Sequence, residues 1–219
     1  MSDTKKIGIF GAGGHAKVVA DAILRAQEYA LHAFYDDNTS RHGAIHYADR
    51  PVAGDRQQLL RDLSNGTLQA AFVALGNGRV RAEIGEEILR AGHTLATIID
   101  PTAILSQSVK ISPGTLVVAG AIINADTRIG PHVIINTGAS VDHDCVIGAG
   151  VHIAPHATLC GGVHVGESSF IGAGATLIPL TQFPAHSTLG AGSTLTKSVD
   201  TLGTWVGSPV RILRSHSES

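Results

Sequence analysis

The segment Val141-Asp142-His143-Asp144-Cys145-Val146 sets a carboxylate on either side of an imidazole, in a stretch whose neighbours are mostly Gly, Ala, Thr and Ser. An imidazole titrates near neutrality, and a carboxylate beside it can orient the ring and raise its basicity, which suits a general base. The same residues would also serve as a solvated turn, and their types alone leave both readings open. Cys145 reads as a core filler rather than a nucleophile. A second group is Gly11-Ala12-Gly13-Gly14-His15-Ala16-Lys17, a G-x-G-x-x-A pattern between an apolar run and a helical one. Such a turn presents backbone N–H groups and a helix N-terminus to phosphate oxygens. Asp36 and Asp37 close the next apolar run, where an acid that binds ribose or base is expected. The pattern itself does not separate a dinucleotide from a nucleotide sugar. A domain of about 98 residues favours the smaller ligand, because a full dinucleotide fold needs two halves.

These groups sit in two regions with different patterning. Over residues 1–98 strands and helices alternate: strand at Ile7–Phe10, turn at Gly11–Gly14, helix over His15–Gln27, strand at Leu31–Tyr35. A strand at Ala70–Leu75, a helix over Val80–Ala91 and a strand at Thr94–Ile99 follow. Such alternation implies a Rossmann-like α/β domain with a parallel sheet. Over residues 99–219 the period becomes six. Leu105, Ile111, Val117, Ile123, Ile129, Ile135, Val141, Ile147, Ile153, Leu159, Val165, Ile171, Leu177, Phe183, Leu189 and Leu195 keep one register, and each is followed four residues later by a small or short side chain. This predicts a left-handed parallel β-helix of hexapeptide repeats ending in a C-terminal tail. Gly130, Asn136, Gly148, Gly166, Gly172 and Gly190 are expected at turns that need positive φ. His152 and His164 hold the same place in their hexads but fall on different faces of a three-sided coil, so no metal site is expected.

Composition narrows the classes. The formal net charge is -2, which offers no basic field for nucleic acid or an anionic membrane. No run approaches the roughly 18 apolar residues of a membrane span, and no secretory signal is expected at the N-terminus. Cys145 and Cys160 are the only cysteines, which does not make a disulfide framework and suggests a reduced, cytoplasmic setting.

Taken together, GAGGHAKVV, YDDN, ALGNGRVR, INADTRIG, INTGASVDHDCVIG and WVGSP resemble the bacterial nucleotide-sugar acyltransferases over almost the whole chain. The resemblance is nearest to N-acetyltransferases of UDP-linked 4-amino-4,6-dideoxy sugars, of the bacillosamine type. GDP-perosamine N-acetyltransferases and sialic-acid O-acetyltransferases are further relatives. It implies acetyl-CoA as co-substrate, a UDP-linked amino sugar as acceptor, and a homotrimer with active sites between neighbouring solenoids, for surface glycan or protein glycosylation precursors. Carried over residue by residue, His143 is the base and Asp144 its acidic neighbour, Asn136 lines the sugar site, His152 lies near the thioester, and Gly161 supplies a backbone donor. Gly13, Gly14 and His15 match the diphosphate loop and sugar approach, and Asp36 and Asp37 the nucleoside contacts. Bacillosamine-type relatives often carry Glu where this chain has Asp144, and perosamine-type relatives carry Asp. The nucleotide therefore stays open among UDP, GDP and dTDP, as does O-acetylation of a sialic-acid-like sugar. A purely structural β-helix and a nicotinamide oxidoreductase are the remaining alternatives.

Overall fold

A computed structural model describes residues 4–215, which divide after Pro101 into two compact units. In the first unit β1 (Lys6–Phe10), α1 (Gly14–Ala26), β2 (Ala30–Tyr35), β3 (Ile45–Tyr47), β4 (Arg50–Gly54), α2 (Arg56–Ser64), β5 (Ala70–Val73) and α3 (Gly78–Arg90) follow in order. The sheet order is β3-β4-β2-β1-β5, parallel except for the β3–β4 hairpin. Ile7, Ile9, Phe34 and Phe72 are wholly buried, as expected for a sheet covered on both faces. Helix α1 turns Ala16, Val19, Ala20 and Ile23 inward at helical spacing.

Two elements were not legible in the sequence. The β3–β4 hairpin turns at Ala48-Asp49, both at positive φ, without the Asn-Gly or Gly-Gly signature of such a turn. Helix α2 buries only Leu59 and Leu63 in an otherwise polar run. The expected strand at Thr94–Ile99 is largely absent: Leu95 makes a single bridge to Ala71, and only Ile98–Ile99 is extended as a strand.

The second unit is the expected β-helix. Each two-residue strand pairs in parallel with the strand 18 residues on, as Ile122 with Ser140 and Ser140 with Thr158. Three faces result. The first runs from Ile104–Leu105 to Thr194–Leu195, the second from Lys110–Ile111 to Gln182–Phe183, and the third from Leu116–Val117 to Thr188–Leu189. The third face is closed by a hairpin of Gly203–Val206 and Arg211–Ser215, whose Trp205 packs against the apolar ladder. The second residue of each strand points inward, so Ile123, Val141, Leu159 and Leu177 stack as one fully buried column. At the small corner position Thr115 donates one coil onward to the carbonyl of Gly130, Thr127 to that of Asp142 and Ser169 to that of Pro184, whereas Thr181 and Ser187 donate locally to the carbonyls of Ile178 and Ala185. Cys145 takes the same role, with Sγ 3.2 Å from the Cys160 carbonyl, and burial pushes its thiol pKa up.

The turn chemistry differs from expectation. The positive φ angles fall at every sixth residue from Gly114 to Gly192, and none is at Gly130, Asn136, Gly148, Gly166, Gly172 or Gly190. Half of that column is glycine, and the rest is Asp126, His132, Asp144, His156, Ser168, Leu180 and His186. Asp and His tolerate this region better than other side chains, whereas a β-carbon there generally costs about 1–2 kcal/mol. The glycines singled out from sequence answer to a different constraint. A β-carbon on Gly130 would lie 2.9 Å from the Ala149 nitrogen, one on Gly148 2.6 Å from that of Glu167, and one on Gly172 2.5 Å from that of Ala191. Coils approach too closely there for any side chain. Gly148→Ala should therefore destabilise the protein by about 1–3 kcal/mol through overpacking. Gly174→Asn, exposed and with open space around its left-handed Cα, should stay within about 0.5 kcal/mol of wild type. Urea unfolding of the two variants compares them directly, and equal destabilisation would refute the distinction.

Candidate active site

The best-defined chemistry sits at the corner between the first and second faces. The Asn124 amide donates to Asp142 Oδ1 at 2.9 Å, and that oxygen also accepts the His143 backbone N–H at 2.8 Å. Asp142 is therefore spent on holding the turn, and these hydrogen bonds keep its pKa low. His143 Nδ1 lies 2.8 Å from Asp144 Oδ2. Asp144 can reach back because it takes the left-handed conformation, at φ 58. A carboxylate on Nδ1 fixes the proton there and leaves Nε2 as the basic atom. The hydrogen bond to Asp144, followed by the charge of Asp142, raises the His143 pKa above the ordinary imidazole value. The ring leans over the next coil, where a β-carbon on Gly161 would lie 2.6 Å from Cε1 and Nε2. At that corner Cys160 replaces the carboxylate that Asp142 supplies one coil earlier, and the Gly161 N–H carries no hydrogen bond among the described residues.

Asn136 and His152 form a second pair. The Asn136 amide donates to His152 Nε2 at 3.1 Å, and the imidazole packs edge-on against Phe170 with ring centroids 5.1 Å apart. His152 lies on the third face and Asn136 at its junction with the first. Within one chain the fold thus brings His143, Asp144 and Gly161 together, and separately Asn136 with His152. His164 lies on the second face, apart from His152.

In the first unit the glycine loop opens on a cavity of ≈ 460 Å³ lined by Gly13, Gly14, Lys17, Arg41, Ile45 and His46 among others. Helix α1 begins there with Gly13 as N-cap and no side-chain cap, whereas α2 and α3 are capped by Asp55 and Asn77. A β-carbon on Gly13 or Gly14 would meet nothing within 4 Å, so the backbone is open to a ligand. An uncapped helix N-terminus with Lys17 and Arg41 nearby suits an anion. Sequence reasoning passed over Lys17, Arg41 and His46. Lys17 follows the glycine pattern on the first turn of α1, whereas Arg41 reaches the loop from a 3₁₀ turn over Thr39–Arg41 and His46 from the β3–β4 hairpin, neither of which the sequence pattern showed.

The acids of this region are placed differently from each other. Asp36 Oδ2 accepts the Ala12 N–H at 2.9 Å and Oδ1 the Asn38 N–H at 2.9 Å, so its carboxylate shapes the loop itself. Asp37 accepts the Arg56 N–H at 3.0 Å and remains more than half exposed. His15 is largely buried, and burial followed by the Arg81 charge lowers its pKa to about 4. Arg81 itself is fully buried, with Nη1 donating to the Leu75 carbonyl at 2.6 Å.

Comparison with known proteins agrees with this anatomy. Residues 6–88 match the model of the PglD N-terminal domain, and residues 126–161 and 144–179 match the bacterial transferase hexapeptide model of six repeats. A variant of GDP-perosamine N-acetyl transferase from Caulobacter crescentus, solved in complex with CoA and GDP-perosamine, superposes with a TM-score of 0.90 at 37% identity, covering 97% of this chain and 99% of that one. The chain belongs to the nucleotide-sugar N-acetyltransferases of the hexapeptide-repeat class. The acetyltransferase domain of PglB from Neisseria gonorrhoeae, in complex with acetyl coenzyme A, is 35% identical with a TM-score of 0.88, covering 96% of this chain and all of that one. UDP-N-acetylbacillosamine N-acetyltransferase of Bacillus subtilis is 39% identical over 118 residues, so this acetyltransferase spans about half, 52%, of that relative's length and matches it over 52% of its own.

The two histidines of this acetyltransferase should titrate in opposite directions. Side-chain NMR should find His15 neutral down to about pH 5 and His143 protonating above the usual value of about 6.5. Asp144→Asn should move the His143 midpoint down. A His143 midpoint indifferent to Asp144 would refute the coupling.

Proposed function

We propose that this enzyme transfers the acetyl group of acetyl-CoA to the 4-amino group of a UDP-linked amino-dideoxy sugar, with His143 as general base. The observation that carries the reading is the 2.8 Å contact of His143 Nδ1 with Asp144, which leaves a basic Nε2 beside the unengaged N–H of Gly161. The neutral amine attacks the thioester carbonyl, forming the N–C bond as His143 Nε2 accepts the amine proton. The Gly161 N–H steadies the oxyanion. Collapse breaks the C–S bond, the imidazolium returns the proton to sulfur, and the amide and free coenzyme A leave.

The two units divide the labour in this reading. Gly13, Gly14 and the α1 N-terminus take the diphosphate, with Lys17 and Arg41 adding positive charge. His15, kept neutral by burial, stands at the sugar's approach, and Asp37, which binds Arg56 but is more than half exposed, offers its remaining acceptor capacity to the nucleoside. The solenoid takes acetyl-CoA, with His152 near the thioester. Because His143 and the Asn136–His152 pair occupy different corners of one coil, a complete site draws them from two chains, which supports a homotrimer with sites between subunits. The protein acts in the cytoplasm, where acetyl-CoA is supplied; no helix among the described residues is long and apolar enough to cross a membrane.

A GDP-linked acceptor is the second reading, favoured by the 0.90 TM-score to an enzyme complexed with GDP-perosamine. A thiol-release assay with acetyl-CoA against UDP-, GDP- and dTDP-linked 4-amino sugars and a hydroxyl counterpart decides between them. One nucleotide should exceed the others by at least about tenfold in kcat/KM, because a buried polar group left unpaired by the wrong base is costly. Transfer to the hydroxyl sugar alone would refute N-acetylation.

His143→Ala should lower kcat by about 10²–10⁴-fold without loss of fold. The base must be neutral, so kcat/KM should fall as pH drops through a midpoint above about 6.5. Asp144→Asn removes the largest cause of the raised pKa and should shift that limb to lower pH. Wild-type turnover in folded His143→Ala would refute the assignment.

A further inference from the structure

The corner that carries His143 is bracketed from two sides. The imidazole leans one coil onward over Gly161. From the opposite direction the isobutyl group of Leu180 leans one coil back over Gly162, where a β-carbon would lie 2.7 Å from Leu180 Cδ2. Three coils are stitched together here, the Gly162 N–H donating to the His143 carbonyl and the Leu180 N–H to the Gly161 carbonyl, each at 2.9 Å. The result is a notch with a Gly161-Gly162 floor, a basic wall and an apolar wall, and a free N–H in the floor.

Leu180 is the anomalous member of its column. It takes φ 63 where the other positions hold glycine, Asp, His or Ser, and the residue is 77% exposed. A bulky apolar residue in the left-handed region is disfavoured by its backbone, and this one is disfavoured by water as well. Glycine would fill the place without either cost. Strain of this sort persists chiefly where it serves a site.

We propose that Leu180 is the acyl-selecting wall of the active site: its side chain covers the methyl of the donor's acetyl group while the thioester carbonyl lies over Gly161-Gly162, so longer acyl chains are turned away. The proposal rests on His143 acting as the base of acyl transfer. An acetyl methyl has no polar handle, so a donor can be sized only by an apolar surface at the right distance. One extra methylene in such a place is discriminated by roughly 10–200-fold.

Leu180→Gly tests this well, because it relieves the backbone and should keep or raise Tm. Wild type and variant are compared for kcat/KM with acetyl-, propionyl- and butyryl-CoA, and for binding of the three donors and free coenzyme A by calorimetry. Wild type should prefer acetyl over butyryl by at least about tenfold, and the variant should compress that ratio by about tenfold or more. Free coenzyme A should bind both alike. An unchanged acetyl-to-butyryl ratio in an active variant overturns the role of Leu180 and leaves the acetyl-transfer reading standing. A change in sedimentation with that ratio unchanged makes Leu180 a subunit contact and likewise overturns it. Wild-type protein that neither binds acetyl-CoA nor transfers from it overturns the acetyl-transfer reading, and this proposal with it.

Discussion

Coils of the solenoid lie at backbone hydrogen-bond distance from one another, with the same pairings repeated 18 residues apart from Ile104–Leu105 upward. That spacing leaves no room for a side chain between coils at Gly130, Gly148 or Gly172, and it forces a left-handed residue at each corner. Every other property of the repeat follows. Inward residues must be aliphatic because they stack directly on their own kind, and corner residues must be small or must give a hydroxyl to a nearby carbonyl. Each coil is held by its neighbours, so stability propagates along the stack rather than radiating from a centre.

The same spacing builds the chemistry. A large side chain at a corner has the coil before or after it to lean on, and glycine in that coil makes room for it. His143 stands over Gly161, His156 over Gly138 and Leu180 over Gly162. The imidazole is therefore positioned by an empty space in the adjacent coil as much as by the carboxylate on its Nδ1. The Gly161 N–H is left unengaged for a related reason. In the coil before, Asp142 bends back to accept the equivalent N–H of His143, and Cys160 has no carboxylate with which to do so.

Much of this was legible in the sequence, and the failures have physical causes. The β-helix and its register could be read because a period of six in aliphatic residues has no other common explanation. The acid-bracketed histidine stood out against that background, and its hydrogen bond with Asp144 follows from their adjacency. The roles of glycine could not be read, since a glycine needed for φ and one needed for space look alike. Coil stacking separates them, and the αL column turned out to be the one containing Asp144 and Leu180. Asp36 and Asp37 are adjacent and identical in type. One is consumed by the Ala12 and Asn38 amides while the other accepts the Arg56 N–H and stays more than half exposed, a difference set by the direction of the chain leaving β2. His46 was missed because the hairpin that delivers it turns on Ala48-Asp49 rather than on glycine, and Arg41 because it rides on the short 3₁₀ turn before that hairpin.

His15 and His143 show what the two kinds of scaffold do to one side chain. At the start of α1, burial and a nearby guanidinium lower the pKa and keep the His15 imidazole neutral. At the solenoid corner the imidazole is 59% exposed and paired with carboxylates, which raises its proton affinity. A base that must take a proton from an amine gains driving force from a higher pKa, provided it remains mostly neutral at the working pH. Exposure in the isolated chain also fits bulky substrates arriving from outside. In the proposed assembly the second solenoid and the acetyl donor cover this corner, and the water they displace is what would otherwise weaken the Gly161 N–H as an oxyanion donor. In that proposed reaction the rigid stack matters because neither the imidazole nor the amide has to be reorganised as the charge develops.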